Sequence, residues 1–176
     1  MVFELAPKPN SSSSDEENQS LEVFTTRPDT IFGVTFMVLA PEHPLVNELT
    51  STENIERVEA YKKRAKSKSN VDRQASKEVS GEFTGAYAIH PFTGKQIPIW
   101  ISEYVLVDYG TGAIMAVPSD DDRDHAFATK FEIEIIDICD KSDYPDATNA
   151  DKLGKMINSD FLNGLEVKVA IPLAIQ

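Results

Sequence analysis

The stretch "FTGAYAIHPFTGKQIPIWISEYVLVDYGTGAIMAVP" (83–118) constrains the fold more than any other part of the chain. β-Branched and aromatic residues dominate it, and Gly and Pro punctuate them every few positions. Several short strands joined by turns favour a barrel or a strongly bent sheet. The expected class is α+β, a β-barrel core with peripheral helices.

The flanking sequence adds elements to that core. "MVFEL" and "LEVFTT" read as strands, separated by "APKPNSSSSDEENQS" (6–20), whose Pro, Ser and acid content predicts a flexible loop. "TTRPDT" (25–30) reads as a turn around Pro28 and Asp29, and "VTFMVLA" (34–40) as a buried strand. Thr50-x-x-Glu53 has the form of a capping box, and Ile55, Val58 and Tyr61 follow at near-helical spacing, so a helix is expected to about residue 68. A short helix follows Ser119, with Phe127 and Phe131 four apart. "IEIIDIC" (133–139) reads as a strand and "EVKVAIPLAIQ" (166–176) as a terminal helix broken near Pro172. With 176 residues, one domain is expected over 1–176.

A net charge of −12 argues against a protein that grips long stretches of phosphate backbone by itself. The basic run "YKKRAKSKSNVDR" (61–73) reads as a solvated helix face or a nucleic-acid-facing patch. The apolar run "IFGVTFMVLA" (31–40) is about half as long as a bilayer-spanning helix requires, so no membrane partner is expected. A single cysteine, Cys139, suits a reducing compartment, and a cytoplasmic location is expected.

No cofactor or metal is expected. "GTGAIM" (110–115) begins like a dinucleotide loop, but Met115 stands where the third glycine belongs and a strand continues. His43, His90 and His125 lie far apart and read as structural. "VPSDDDRDHAF" (117–127) carries four aspartates without the tight Gly turn of a calcium loop. Ser119 or Asp120 can cap the following helix and complement its dipole. Four carboxylates exceed that need, and a carboxylate can also receive an ammonium group. Local sequence leaves cap and receptor open.

Taken together, "TTRPDTIFG" (25–33), "HPFTGKQIPIW" (90–100) and "YGTGAIMAVPSDDDRDHAF" (109–127) closely resemble the editing domain of bacterial-type leucyl-tRNA synthetase, from about Leu21 to the C-terminus. The chain has no His-x-Gly-His or Met-Ser-Lys-Ser-type signature, so it looks like a domain excised from a larger synthetase. The resemblance implies the class I synthetase editing fold. It also implies hydrolysis of the ester joining norvaline or isoleucine to leucine tRNA. A missing or relocated methyl is worth only about 1–3 kcal/mol in an apolar pocket, so a second sieve is needed. The implied partners are the mischarged tRNA 3′ end and the remainder of the synthetase in cis, with the isolated domain monomeric. A noncatalytic tRNA-end or protein-binding module of the same fold is the alternative.

Roles carry over by position. Thr30 matches the threonine that excludes leucine's branched side chain, and Thr25 and Thr26 match the pair near the ester and ribose. Met115 and Val117 match pocket-lining residues, and Leu106 and Tyr109 fall where the family holds the terminal adenosine. Arg27 and Asp29 contact the tRNA end or brace the turn. Asp124 matches the anchor of the substrate ammonium, and Asp121 its acidic partner. Asp120 departs from the histidine of many bacterial members and reads, with Asp122, as cap and surface.

Overall fold

A computed structural model describes residues 1–7, 19–76 and 78–175. The loop expected at 6–20 lies largely outside them. The chain divides into two compact units, Met1–Phe24 with Phe36–Met115, and Thr25–Thr35 with Ala116–Gln176.

Six strands form one sheet: β1 (Val2–Leu5), β2 (Ser20–Glu22), β3 (Phe36–Leu39), β4 (Glu82–Ile89), β5 (Gln96–Ile101) and β6 (Ala113–Ala116), in the order β2-β1-β4-β5-β3-β6. β1 pairs antiparallel with β2 and β4, β4 antiparallel with β5, and β3 parallel with β5. The expected β-barrel core takes the form of this nearly closed sheet with helices. All four residues of β3 are buried, as an uninterrupted apolar strand requires. Burial of each such side chain stabilises by about 1.5–3 kcal/mol.

In β4 the register shifts between Phe83 and Tyr87. Gly85 sits there at φ +87°, and a Cβ would collide with Ser51 Oγ and Asn54 Nδ2. The glycine lets Ser51 approach closely enough for its N–H to donate to Thr84 O at 2.8 Å.

Helices α1 (Val46–Leu49), α2 (Ile55–Lys66) and α3 (Asn70–Ala75) belong to the same unit. α2 buries Val58, Tyr61 and Ala65 on one face and leaves most of its basic residues in solvent. The expected capping box does not form. Thr50 Oγ1 donates to Val46 O at 2.6 Å, ending α1, and α2 starts after Asn54. A hydroxyl within reach of the preceding helix's carbonyls is used there instead. Arg73 also departs from the solvated-face reading. It is 4% exposed and donates to Glu103 O at 3.0 Å and Val105 O at 3.1 Å, with Glu42 at 2.8 Å.

In the second unit, "TTRPDTIFG" forms a 3-10 helix over Pro28–Gly33 with its last five residues buried. A Cβ on Gly33 would lie 3.0 Å from both Ile138 Cγ2 and Val117 Cγ1, so a larger residue would push these side chains aside. Phe32 meets Phe161 edge-on with ring centroids 5.8 Å apart. Helix α4 (Asp122–Lys130) buries Phe127 and Ala128, and α5 (Val167–Leu173) buries Val167 and Ala170. α5 contains Pro172 and ends one residue beyond it.

The strand expected at 133–139 is mostly absent. Only β7 (Cys139–Asp140) pairs, with β8 (Lys155–Met156). Residues 133–138 are irregular, although the isoleucines are more buried than the acids between them. Among the described residues, no helix is long and apolar enough to cross a membrane.

Candidate functional site

The second unit brings the threonine-rich turn and the aspartate-bearing helix together. Thr25 is half-buried, and its Oγ1 accepts a hydrogen bond from Arg27 N at 3.0 Å. Thr26 is exposed. Thr30, 2% exposed, donates from its hydroxyl to Arg27 O at 2.9 Å. The backbone of Arg27 thus orients the hydroxyls on either side of it.

Its side chain is held as firmly. Nε donates to Asp29 Oδ1 at 3.0 Å and Nη2 to Asp29 Oδ2 at 2.9 Å, a two-point contact suited to a planar guanidinium. Nη1 lies 2.8 Å from Asp120 Oδ2, and Nη2 donates to Asp120 Oδ1 at 3.4 Å. Burial works against the Arg27 charge, but the hydrogen bonds and charges of Asp29 and Asp120 hold its pKa above the ordinary value. Burial, conversely, pushes the Asp120 carboxyl up, and the attraction of Arg27 and Lys141 only partly offsets it. The two partners differ because burial outweighs the attraction of the arginine at Asp120, whereas at Arg27 two carboxylates together outweigh burial.

The aspartates divide the work differently from the sequence reading. The cap of α4 is Asp121, whose Oδ1 accepts from Arg123 N at 2.8 Å and Asp124 N at 3.2 Å; neither Ser119 nor Asp120 fills that place. An aspartate with extended backbone at the helix start satisfies two donors there, while Asp120 is drawn to the arginine. Asp124 is 5% exposed, and its Oδ2 accepts from Val117 N at 2.9 Å. That bond ties the ammonium-anchor candidate to a pocket-lining candidate. Asp122 is exposed, as expected.

The remaining candidates belong to the first unit. Met115 is 9% exposed, at the end of its unit in β6. Leu106 O accepts from Tyr109 N at 3.2 Å, closing a turn that leaves the Tyr109 ring 77% exposed. Gly110 and Gly112 at φ +62° and +71° carry this turn into β6, so "GTGAIM" is a strand entrance. The histidines serve local turns: the Nδ1 atoms of His43 and His90 accept nearby backbone N–H groups, and His125 Nδ1 lies 3.0 Å from Pro118 O. Sequence reasoning missed the Arg27–Asp120 pair. The only signal was an acid in excess of what a helix start uses.

The architecture has a solved counterpart. It is similar, at a TM-score of 0.69 and 26% identity over 99% of this chain, to the leucyl-tRNA synthetase of Agrobacterium radiobacter, determined in a ternary complex with tRNA and LeuAMS. The fold is that of a class I aminoacyl-tRNA synthetase editing domain. Residues 11–176 match the family model described as leucyl-tRNA synthetase, editing domain. The leucine–tRNA ligase of Bdellovibrio bacteriovorus is 57% identical over 155 residues, covering 88% of this chain. The chain belongs to the leucyl-tRNA synthetase editing-domain family, with an editing role. It spans 19% of the Bdellovibrio relative and 18% of the Agrobacterium chain.

Proposed function

We propose that this domain hydrolyses the aminoacyl ester of leucine tRNA mischarged with norvaline or isoleucine, as the post-transfer editing part of a leucyl-tRNA synthetase. The observation that carries the reading is the joining of the Thr25–Thr30 turn to the Asp120–Asp124 segment through Arg27. Water attacks the ester carbonyl carbon, and the bond from that carbon to the ribose oxygen breaks. The ribose oxygen takes a proton, releasing the amino acid and a tRNA with a free 3′ end.

Thr25 accepts from Arg27 N, which leaves its own hydrogen able to donate to a substrate oxygen or orient the water. Exposed Thr26 offers a second hydroxyl. Thr30 has its hydrogen committed to Arg27 O, so it selects by bulk and excludes leucine's branched side chain. Asp124 holds the α-ammonium with Asp121 beside it, and Val117 lines the side-chain pocket. Met115 gives apolar contact to the amino acid, and Leu106 and Tyr109 receive the terminal adenosine; an exposed tyrosine ring suits base stacking. Arg27 and Asp29 brace the turn. Acceleration comes from orientation and fixed dipoles, with no protein general base. The tRNA end and the rest of the synthetase are the partners, in the cytoplasm.

The test is deacylation of norvalyl- and isoleucyl-leucine tRNA by the synthetase carrying this domain, and by the 176-residue chain with the remainder supplied in trans. Hydrolysis well above the uncatalysed rate, abolished by Asp124→Ala, is expected. A rate equal to the uncatalysed one overturns the reading in favour of a noncatalytic module.

A further inference from the structure

Within the aspartate cluster, the Asp120 carboxylate reaches a distant segment of the chain. Asp121 is used by the start of α4, Asp124 Oδ2 by Val117 N, and Asp122 faces solvent. Asp120 engages Arg27, 93 residues earlier, through contacts at 2.8 and 3.4 Å, with both side chains mostly buried. Arg27 is already matched by Asp29, whose carboxylate is fully buried against it. The second carboxylate is therefore superfluous for neutralising the arginine. A desolvated ion pair also adds little net stability, and the raised pKa of Asp120 points the same way. What the pair does supply is geometry: the guanidinium is gripped from both segments, while the Arg27 backbone holds the Thr25 and Thr30 hydroxyls.

We propose that Asp120 is a positioning residue for hydrolysis: through Arg27 it fixes the Thr25–Thr30 turn relative to the Asp121–Asp124 end of α4. This rests on the editing function proposed above. Asp120 itself touches no reacting atom. Displacements of about 1 Å at a reacting centre can cost on the order of 100-fold in rate, which is the scale on which loss of this pair acts.

In the full synthetase, Asp120→Asn is expected to lower kcat for misacylated tRNA by roughly 10- to 100-fold, with KM changed less than about threefold. Asp120→Glu, which keeps the charge, restores much of the rate, and Asp122→Asn leaves it unchanged. Unaltered kcat in Asp120→Asn, a loss confined to KM, or failure of Glu to exceed Asn overturns the proposal. A second measurement does not depend on catalysis: in the amide NMR spectrum of the 176-residue chain, Asp120→Asn shifts the Thr25, Arg27 and Thr30 resonances and Asp122→Asn does not. If the wild-type enzyme fails to deacylate, the editing function fails. The NMR comparison still decides the tie between the segments, and unchanged turn resonances sink it.

Discussion

The smallest unit of the site is a hydroxyl whose hydrogen is already spent. Thr30 donates to Arg27 O, so the part proposed for it in substrate choice is a steric one. Thr30→Ala should therefore let the enzyme hydrolyse correctly charged leucine tRNA while retaining activity on norvalyl-tRNA; continued protection of the leucyl product would refute the gate. Asp120 gives a pH signature. Its folded pKa is raised, chiefly by burial, with Arg27 and Lys141 pulling it down and Asp29 pushing it up. Its stabilising contribution is thus fully present below the ordinary carboxylate value and is lost as pH rises through the higher folded value. Unfolding midpoints of the wild type and Asp120→Asn, compared from acid to neutral pH, should show the wild type losing ground as pH rises. The opposite trend would mean that ionised Asp120 stabilises the fold. The candidate residues were named from the fixed positions of the motif, but their bonding was not legible. No pattern in "PSDDDRD" tells which aspartate caps, which accepts from Val117 and which crosses to Arg27, because each outcome depends on where another segment lies.

At the scale of elements, α4 carries two demands on one side chain. Asp121 caps the helix and also stands beside the proposed ammonium anchor. Asparagine caps about as well as aspartate, whereas alanine costs about 0.5–2 kcal/mol. Asp121→Ala should lower stability in denaturant titrations by that amount, and Asp121→Asn should not. Deacylation kinetics of the Asn variant then isolate the charge: a rise in KM assigns Asp121 to substrate, and an unchanged KM leaves it a cap. The strands were legible because β-branched and aromatic runs, alternating with polar residues where half-buried and unbroken in β3, are bounded by turn residues. "IEIIDI" misled for the same reason. Alternation sorts side chains by face, but a strand also needs a neighbour with free N–H and C=O groups, and residues 133–138 find only isolated partners such as Ile157 N for Ile138 O. Likewise Thr50 was given to the helix after it and serves the one before it.

For the whole molecule, the net charge of −12 sets the expectation for nucleic acid. The 176-residue chain should bind leucine tRNA weakly and lose affinity further with salt, since few phosphates can be neutralised. A titration at physiological ionic strength showing tight binding would contradict this and assign the basic face of α2 a role in tRNA contact. The division into two units carries another consequence, for synthesis. The chain leaves the first unit after Phe24, returns at Phe36 and leaves again after Met115, so the second unit is assembled from pieces far apart in time. Arg27 emerges from the ribosome 93 residues before Asp120, an interval of about 5–20 s at translation rates of roughly 5–20 residues per second. Through that interval the threonine turn, with Ile31 and Phe32, waits without the residues that will bury it. The nascent chain is then open to proteolysis and to chaperones, and the site proposed for editing is among the last parts of the domain to be completed.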